Sequence, residues 1–335
     1  MNWWQRITAI CVGMLALAAV PDRQLVFAQD AVEERRPRVE LGIGAWISTG
    51  ETKWAHNASS IPGLGNPTSK LTYKDVGTNI IDLTGKVWFT PRLFGRLNLG
   101  IGNVGGGRLT DDDYGSGQRL FSETNSDIDG VSTWYLNADF GGKVKEFANH
   151  RGYLEVFGGY QYWYTKYNAV GLSQVACDPT AIPGLGCPPL GPVSNVAPRQ
   201  SVITNTANWH SIRVGGTTEY RITRRFSLQG TVAFIPVSII DNKDVHRLRT
   251  TGNAALQQDP SISMFGYGIG ADADVGARLM IVKNFYANVG YRVWWNYAID
   301  GHATFHSANA PSSEFPLTQF QSLRHGLTFG LNYSF

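Results

Sequence analysis

The stretch Ser322–Phe335 (SLRHGLTFGLNYSF) decides the fold class, because apolar and polar side chains alternate along it. Successive residues of a β-strand point to opposite faces of the sheet, so this pattern gives one apolar face and one polar face. Val39–Ser48 (VELGIGAWIS) and Phe285–Tyr297 (FYANVGYRVWWNY) alternate in the same way. Strands with an apolar outer face and a polar inner face are typical of transmembrane β-barrels.

The composition of the 335 residues excludes several other classes. Hydrophobic residues make up 43% and charged residues 16%, whereas an average soluble domain has roughly 25% charged residues. A disordered chain would combine low hydrophobicity with high charge. Past residue 28 no apolar stretch approaches the ~20 residues of a spanning helix, which excludes a helical membrane protein. A net charge of +3 is too small to indicate a nucleic-acid partner.

The same alternation predicts ten strands, separated by short and long gaps in turn. The strands lie at 37–49, 70–89, 93–108, 131–144, 152–169, 202–222, 225–240, 262–280, 284–299 and 317–335. The long gaps lie at 50–69, 109–130, 170–201, 241–261 and 300–316. Outer-membrane barrels have short periplasmic turns and long external loops. We therefore predict an all-β, ten-stranded antiparallel transmembrane β-barrel with long extracellular loops. A soluble β-sandwich would also explain the alternation, but it would not explain the unequal loops. The tryptophans that suit interfacial girdles are Trp46, Trp88, Trp134, Trp163, Trp294 and Trp295.

The first 28 residues have the pattern of a secretory signal peptide. Arg6 supplies the positive charge, Ile7–Val20 (ITAICVGMLALAAV) the apolar core, and Val26–Ala28 a small-residue cleavage site. An N-terminal membrane anchor is the alternative, but this apolar core is too short to span a bilayer. We predict a signal peptide at 1–28 and a single barrel domain at 29–335, located in the bacterial outer membrane after cleavage.

Cys177 and Cys187 lie in a segment rich in proline and glycine, Ala176–Pro192. In an exported protein, two cysteines this close predict a disulfide that closes a loop. Metal binding is the alternative, and it is disfavoured because no histidine lies between Tyr160 and Ser201.

Two clusters of ionisable residues stand where strands run into external loops: Gly106–Tyr114 (GGRLTDDDY) and Asp241–Arg247 (DNKDVHR). In an extended chain Asp111 and Asp113 share a face, and so do Asp244 and His246. A carboxylate beside a histidine stabilises the protonated ring, so the histidine can take a proton from water. A pair of carboxylates opposite could hold that water and handle the second proton. These residue types suit attack of water on an amide without a covalent intermediate.

Simpler interpretations of the acidic residues stay open. External loops of barrels are routinely acidic, and an Asp-x-His pair arises often by chance. Calcium is another candidate ligand of the aspartate run. Asn125–Gly130 (NSDIDG) also resembles half of a calcium loop, although Leu136 stands where the bidentate glutamate belongs. His302 and His306 stand in a loop rather than on a helix, so we predict no metal site.

At four places the chain resembles the omptin family, the ten-stranded outer-membrane proteases. These places are Ser48–Lys53 (STGETK), Gly106–Tyr114, Asp241–His246 and Gly330–Phe335 (GLNYSF). The resemblance implies that His246 is the general base and that Asp244 orients it. It further implies that Asp111 helps to hold the attacking water and that Asp113 supports the charge network. Because Asp112 lies between these two, the register of the three aspartates is open by one residue.

The substrate pocket departs from the family pattern. The family receives a basic side chain between two acids, and the matching positions here are Trp54 and Asn242. Glu51 and Asp241 lie near them in sequence and are candidate replacements. The resemblance therefore does not imply cleavage between basic residues.

The family also binds lipopolysaccharide on the outer wall of strand five. Tyr160 matches the tyrosine of that site, Tyr162 and Tyr164 occupy positions of charged residues, and Lys166 is a candidate replacement for the arginine. The resemblance implies two partners, lipopolysaccharide and a polypeptide substrate, and we expect a monomer that binds no nucleic acid. It implies no cofactor, with lipopolysaccharide as a candidate requirement for activity.

Strict alternation conflicts with this catalytic set. Ile101 faces lipid, and the same parity would send Asp111 outward; on strand seven Leu228 and Asp244 are in the same relation. A one-residue bulge in each strand would turn the aspartates inward. The candidate positions are Gly105–Gly107 and Pro236.

Two other functions stay open. A non-enzymatic barrel, such as an adhesin, a structural anchor or a lipid-binding protein, fits Trp54 and Asn242. A pore is a variant of this class, but a barrel of this size is largely filled by its own side chains. A lipid-modifying enzyme would need a serine beside a histidine on the wall, for which the candidates are His210–Ser211 and His306–Ser307. We assign no role to the other histidines, His56, His150, His302 and His325.

Overall fold

The computed structural model describes residues 39–252 and 254–335, and the predicted signal peptide lies outside this part of the chain. The strands are β1 Val39–His56, β2 Leu64–Lys74, β3 Thr78–Trp88, β4 Leu93–Val104, β5 Arg108–Gly115, β6 Arg119–Ile128, β7 Ser132–Phe147, β8 Gly152–Cys177, β9 Gly191–Pro192, β10 Ser201–Arg221, β11 Phe226–His246, β12 Ile262–Val282, β13 Phe285–Phe305 and β14 Ser313–Ser334. A short 3₁₀ turn at Ser116–Gln118 links β5 and β6. In the described ranges no helix is long and apolar enough to cross a membrane.

The strands close into an antiparallel ring of ten. β1 pairs with β14 on one side and with β3 on the other. From β3 the ring runs through β4, β7, β8, β10, β11, β12 and β13 to β14. Toward the long loops, β2, β5 and β6 take the places of β3, β4 and β7. The predicted all-β, ten-stranded antiparallel architecture is confirmed.

The strands extend further toward the loops than the sequence indicated. β1 continues to His56 and β11 to His246, and β5 and β6 fill most of the predicted loop 109–130. These predicted boundaries were wrong because alternation of apolar and polar residues marks only the lipid-facing part of a strand. The ladder of backbone hydrogen bonds continues beyond it.

The outside of the barrel is apolar, and its interior is charged and aromatic. Exposed apolar side chains on β1 and β14 include Leu41, Ile43, Ile47, Leu327, Phe329 and Leu331. Inside, Lys86 contacts Glu155 at 2.7 Å and Arg96 contacts Asp139 at 2.8 Å. Ion pairs and packed side chains thus fill the lumen, as expected for a narrow barrel.

Four of the tryptophans assigned to interfacial girdles point into the barrel, so the prediction was wrong for them. One is Trp88, which packs against Lys86 and the buried Phe94. Trp46, Trp163 and Trp294 are each at most 2% exposed, and the rings of Trp46 and Trp163 both pack against Trp294. Their positions in the alternation place them on the inward parity, where they form an aromatic layer with Tyr135.

A break between β4 and β5 turns the aspartate run inward. On β4 the odd-numbered Ile101 is 59% exposed, whereas on β5 the odd-numbered Leu109 is 1% exposed. The intervening Gly105–Gly107 belongs to neither strand. The predicted change of parity at these glycines is confirmed.

A bulge in β11 likewise turns Asp244 and His246, in the second cluster of ionisable residues, toward the interior. Phe234 is exposed and Ile235 buried, but beyond Pro236 the odd-numbered Val237 is exposed and Ser238 is buried. The pairing with β12 shifts register over this segment. The bulge predicted at Pro236 is confirmed, and it sets the inward face of the rest of the strand.

Cys177 and Cys187 form a disulfide with their Cα atoms 5.7 Å apart. Arg119 pairs with Asp178 at 2.9 Å beside it. The disulfide therefore closes the first part of the loop that follows β8, beside the start of β6.

Candidate active site

The predicted aspartate–histidine pair lies on the part of β11 beyond Val237, the last exposed apolar residue of that strand. The site is thus outside the membrane-spanning segment. After the bulge, even-numbered residues point inward, which places Asn242, Asp244 and His246 on one interior face.

Asp244 is fully buried, at 0% exposure. Its Oδ2 accepts hydrogen bonds from the indole N–H of Trp54 at 3.1 Å and from the side-chain amide of Asn205 at 3.4 Å. Burial raises the pKa of Asp244 to about 7, although these two donors favour the charged form. Oδ1 is buried without a hydrogen-bond partner among the described residues. Such a carboxyl is suited to exchange a proton near neutral pH.

His246 is neutral at physiological pH. Burial, and after it the positive charges of Arg249 and His56, lower its pKa to about 3. Its backbone N–H donates to Ser261 Oγ at 2.9 Å, and its Nε2 is buried without a partner in the described chain. No hydrogen bond joins its ring to Asp244, whose Oδ2 is held by two other donors. The two residues share a face, but Asp244 does not orient the ring directly.

Asp111 and Asp113 form a half-buried acid pair on β5. The Ser69 hydroxyl of β2 donates to Asp111 Oδ1 at 3.2 Å. Burial, followed by the neighbouring Asp113 charge, raises the pKa of Asp111 well above its usual range; burial likewise raises the pKa of Asp113. Two adjacent buried acids do not both ionise easily, so the pair retains a proton.

Asp112 points away from this pair. Its carboxylate accepts a hydrogen bond from the Tyr114 hydroxyl at 3.4 Å and interacts with Lys70. The structure therefore places the first and third aspartates of the run, Asp111 and Asp113, on the interior face.

The acid pair and Asp244 face one another across the mouth. The charge of Asp244 contributes to the raised pKa of Asp111. Burial and then the charges of Asp244 and Asp111 raise the pKa of Tyr73, a fully buried residue between them. Tyr73 stacks on Tyr167 with ring centroids 5.0 Å apart. We use the word cleft for the region that Tyr73, Tyr167, the acid pair, Asp244 and His246 surround. The cleft thus brings together groups from β1, β2, β5, β8 and β11.

His56 also belongs to this site, although sequence reasoning assigned it no role. It is 4% exposed at the end of β1, packed against Trp54 and Phe305 with ring centroids 6.1 and 4.7 Å away. Burial, and secondarily Arg249, lowers its pKa to about 4. The inward parity of Trp46 and Trp54 on β1 is the signal that would have placed His56 inside, had β1 been predicted long enough.

Arg249 is the second residue that sequence reasoning missed. Its backbone N–H donates to the carbonyl of His246 at 3.2 Å, which closes a turn directly after β11. Burial lowers its pKa, whereas the charges of Asp113 and Asp111 raise it. Its charge also lowers the pKa of His56 and of His246, so its guanidinium lies near the acid pair and near both histidines.

The two residues at the predicted substrate-pocket positions, Trp54 and Asn242, are buried and hydrogen-bonded to other residues of the protein. Trp54 is 1% exposed and its indole N–H is used by Asp244. Asn242 is 0% exposed and exchanges two amide hydrogen bonds with Asn205, at 3.0 and 3.2 Å. The candidate acids do not replace them: Glu51 pairs with Lys53 at 2.6 Å on the outward parity of β1.

The residues predicted to contact lipid line the outer wall of β8. The Tyr160 hydroxyl and His210 Nδ1 share a hydrogen bond of 2.7 Å, and Tyr162 donates to Asn208 Oδ1 at 2.7 Å. Lys166 lies on the same outward parity, nearer the loops. The surface that these residues form is aromatic, with one histidine, His210, and with Lys166 at the end nearer the loops.

The serine–histidine candidates do not form the predicted pairs. His210 points outward, but the neighbouring Ser211 is 2% exposed and bonds Ser238 inside the barrel. His306 Nε2 contacts Ser263 at 2.8 Å rather than Ser307. In the described ranges, no group of three or more His, Cys, Asp or Glu side chains is placed to hold a metal ion.

Comparison with known proteins gives a structural likeness only. No protein-family model and no curated protein matches the chain. The crystal structure of the outer membrane protease OmpT from Escherichia coli is similar, with a TM-score of 0.66 at 17% identity, over 93% of this chain and 99% of that one. The translocator domain of the autotransporter NalP from Neisseria meningitidis gives a TM-score of 0.35 at 10% identity over 98% of each chain. A FadL homologue from Pseudomonas aeruginosa gives 0.33 at 9% identity, over 89% and 90%. The chain therefore has the fold of an omptin-like outer-membrane β-barrel.

Proposed function

We propose that the protein is an outer-membrane endopeptidase of the omptin type, which cleaves polypeptides with an activated water at the barrel mouth. One observation supports the proposal: the charge of Asp244, which shares an inward face of β11 with His246, acts on Asp111 of the acid pair. A barrel wall alone does not require such a cluster, because burying each of these carboxyls costs free energy.

In this mechanism the neutral ring of His246 accepts a proton from the water, and the resulting hydroxide adds to the peptide carbonyl carbon. Ionised Asp244 stabilises the imidazolium that forms. The protonated Asp111–Asp113 pair donates a hydrogen bond to the developing oxyanion. When the C–N bond breaks, the proton on His246 passes to the leaving amine, so no covalent intermediate is needed.

The proposed location is the bacterial outer membrane, with lipopolysaccharide on the outer wall at Tyr160 and Lys166. The tyrosine and histidine groups there suit sugar and headgroup hydroxyls, and Lys166 suits a phosphate. In this proposal the lipid is required for full activity.

The decisive experiment is cleavage of a mixed peptide library by the refolded barrel, with and without lipopolysaccharide. The matched control to His246→Ala is His325→Ala, because His325 bonds Tyr291 at 2.6 Å on the outer wall. We expect cleavage to be lost in the first variant and retained in the second. Since ionised Asp244 supports the imidazolium, kcat/KM should rise with pH through about 7. No cleavage by a barrel with heat-modifiable gel mobility would contradict the proposal.

A non-enzymatic barrel is the second candidate, and the hydrogen bonds of Asp244 favour it. Trp54 and Asn205 hold the carboxylate, and no bond connects it to His246. An adhesin or lipid-binding protein that kept the scaffold would then retain these groups as structure. This candidate predicts that His246→Ala changes no biochemical activity of the barrel.

A further inference from the structure

Among the described residues, none of the acids outside the proposed catalytic set is placed to receive a basic substrate side chain. Glu51 is paired with Lys53 outside the cleft, and Asp241 is exposed on the outward parity of β11. Asn242 is held by Asn205, and its amide is fully buried. The carboxyls that do face the cleft are the groups assigned to the reaction itself.

The charged residue beside the cleft that remains available to a substrate is a cation, Arg249. Arg249 follows His246 by a single turn. Its side chain reaches the surface, while neighbouring groups screen its guanidinium from water enough to lower its pKa. Within the described ranges its guanidinium is in no ion pair shorter than 4 Å, although the charges of Asp113 and Asp111 act on it. An arginine in this state keeps its donors for a planar carboxylate, which it binds with two parallel hydrogen bonds.

The charge balance of the cleft agrees with this role. The acid pair retains a proton because burial raises both pKa values, and the His56 and His246 rings are neutral because burial lowers theirs. Near neutral pH the cleft therefore does not contain several full negative charges that would outweigh the positive charge of Arg249. A cationic side chain entering the cleft would meet Arg249 first.

We propose that Arg249 is the specificity-determining residue of this site and that the barrel takes acidic polypeptides, binding an aspartate or glutamate side chain beside the scissile bond. This inference rests on the proposed endopeptidase function. It assigns the substrate class, polypeptides with a carboxylate next to the bond that is cut, and it excludes cleavage between basic residues.

The test uses one peptide scaffold in which each position carries Glu, Gln or Lys in turn, and the refolded barrel with lipopolysaccharide. We expect the best Glu peptide to exceed its Lys counterpart by about tenfold or more in kcat/KM, the effect of one partly buried ion pair. Arg249→Gln should remove this preference, and Arg249→Glu should reverse it toward Lys.

The matched control is Arg247→Gln, which removes the same charge two positions away. Arg247 is exposed, and its Nε donates to Thr204 Oγ1 at 3.3 Å on the neighbouring strand. Its loss should leave the preference for Glu unchanged. Equal effects of both substitutions would show a general surface potential and would overturn the assignment to Arg249.

Binding to the His246→Ala barrel separates the two proposals. Fluorescence anisotropy with the Glu and Lys peptides reports recognition without chemistry. Preference for Lys peptides, in cleavage or in binding, overturns the acidic-substrate inference and leaves the endopeptidase intact. Binding of Glu peptides that depends on Arg249, without cleavage by the wild type, overturns the endopeptidase and retains the recognition site. Absence of both cleavage and Arg249-dependent binding overturns both.

Discussion

At the scale of single residues, the burial of Asp244 carries an energetic cost that depends on pH. Its carboxyl is fully buried, and its folded-state pKa of about 7 lies above the usual value of 3.8. From about pH 4 to pH 7 the folded protein therefore binds more protons at this site than the unfolded chain, so stability falls as pH rises through this window. Above the folded pKa the loss is complete.

Asp244→Asn should remove this cost. We expect the variant to be more stable than the wild type at pH 8 by up to about 4 kcal/mol, from roughly three pKa units at 1.4 kcal/mol each, and equally stable near pH 4. Urea unfolding in lipid vesicles at the two pH values measures the difference. The exposed Asp241→Asn is the control and should show none. A variant less stable than the wild type at pH 8 would contradict the assignment.

At the residue scale, the sequence predicts some members of the site and not others. The motifs predicted Asp111, Asp113, Asp244 and His246, because spacing by two residues gives a shared face. His56 and Arg249 belong to no sequence motif. His56 could be placed only with the true length of β1, and Arg249 only with the geometry of the turn after β11, which no residue type predicts. That Trp54, and not His246, bonds Asp244 depends on packing between strands far apart in sequence.

At the scale of elements, the bulge in β11 decides which side chains enter the cleft. The pairing of β10 with β11 gains one residue on β11 between Phe234 and Val237. The conflict between lipid-facing parity and catalytic parity was visible in the sequence, and Pro236 was the position most able to resolve it. The sequence did not predict the length of the strands. Beyond the apolar band the strand extensions have polar and buried residues on both faces, so apolar and polar residues no longer alternate.

Deleting Pro236 should remove the extra residue and rotate the rest of β11 outward. Because Asp244 and His246 would then leave the cleft, we expect cleavage to fall by about 100-fold or more, the lower range of general-base contributions. Pro236→Ala keeps the residue count and should retain cleavage. Gel mobility before and after heating reports barrel formation in each variant. Full activity in a folded deletion variant would show that the bulge does not position the site.

At the scale of the whole molecule, the ten-stranded ring encloses a lumen that is closed below the cleft. Arg292 contacts Asp82 at 2.8 Å and Asp274 at 2.6 Å across the interior. Above it, Trp46 and Trp294 lie 5.0 Å apart between ring centroids. A polar cavity of about 270 Å³ lies beneath this layer, so the cleft and the opposite end of the barrel are separated by packed side chains.

This closure predicts that the purified barrel conducts no measurable current in planar lipid bilayers. An ion would have to lose its hydration shell to pass the aromatic layer, and the desolvation cost is prohibitive without compensating ligands. The matched variant is Trp46→Ala with Trp294→Ala, which removes two rings but leaves the ion pairs of Arg292 in place. If the rings form the main barrier, this variant should show small, frequent current steps while the wild type stays silent. Discrete steps in the wild type would instead favour a transport function, since a cleft that must retain a peptide and a water gains nothing from an open pore beneath it.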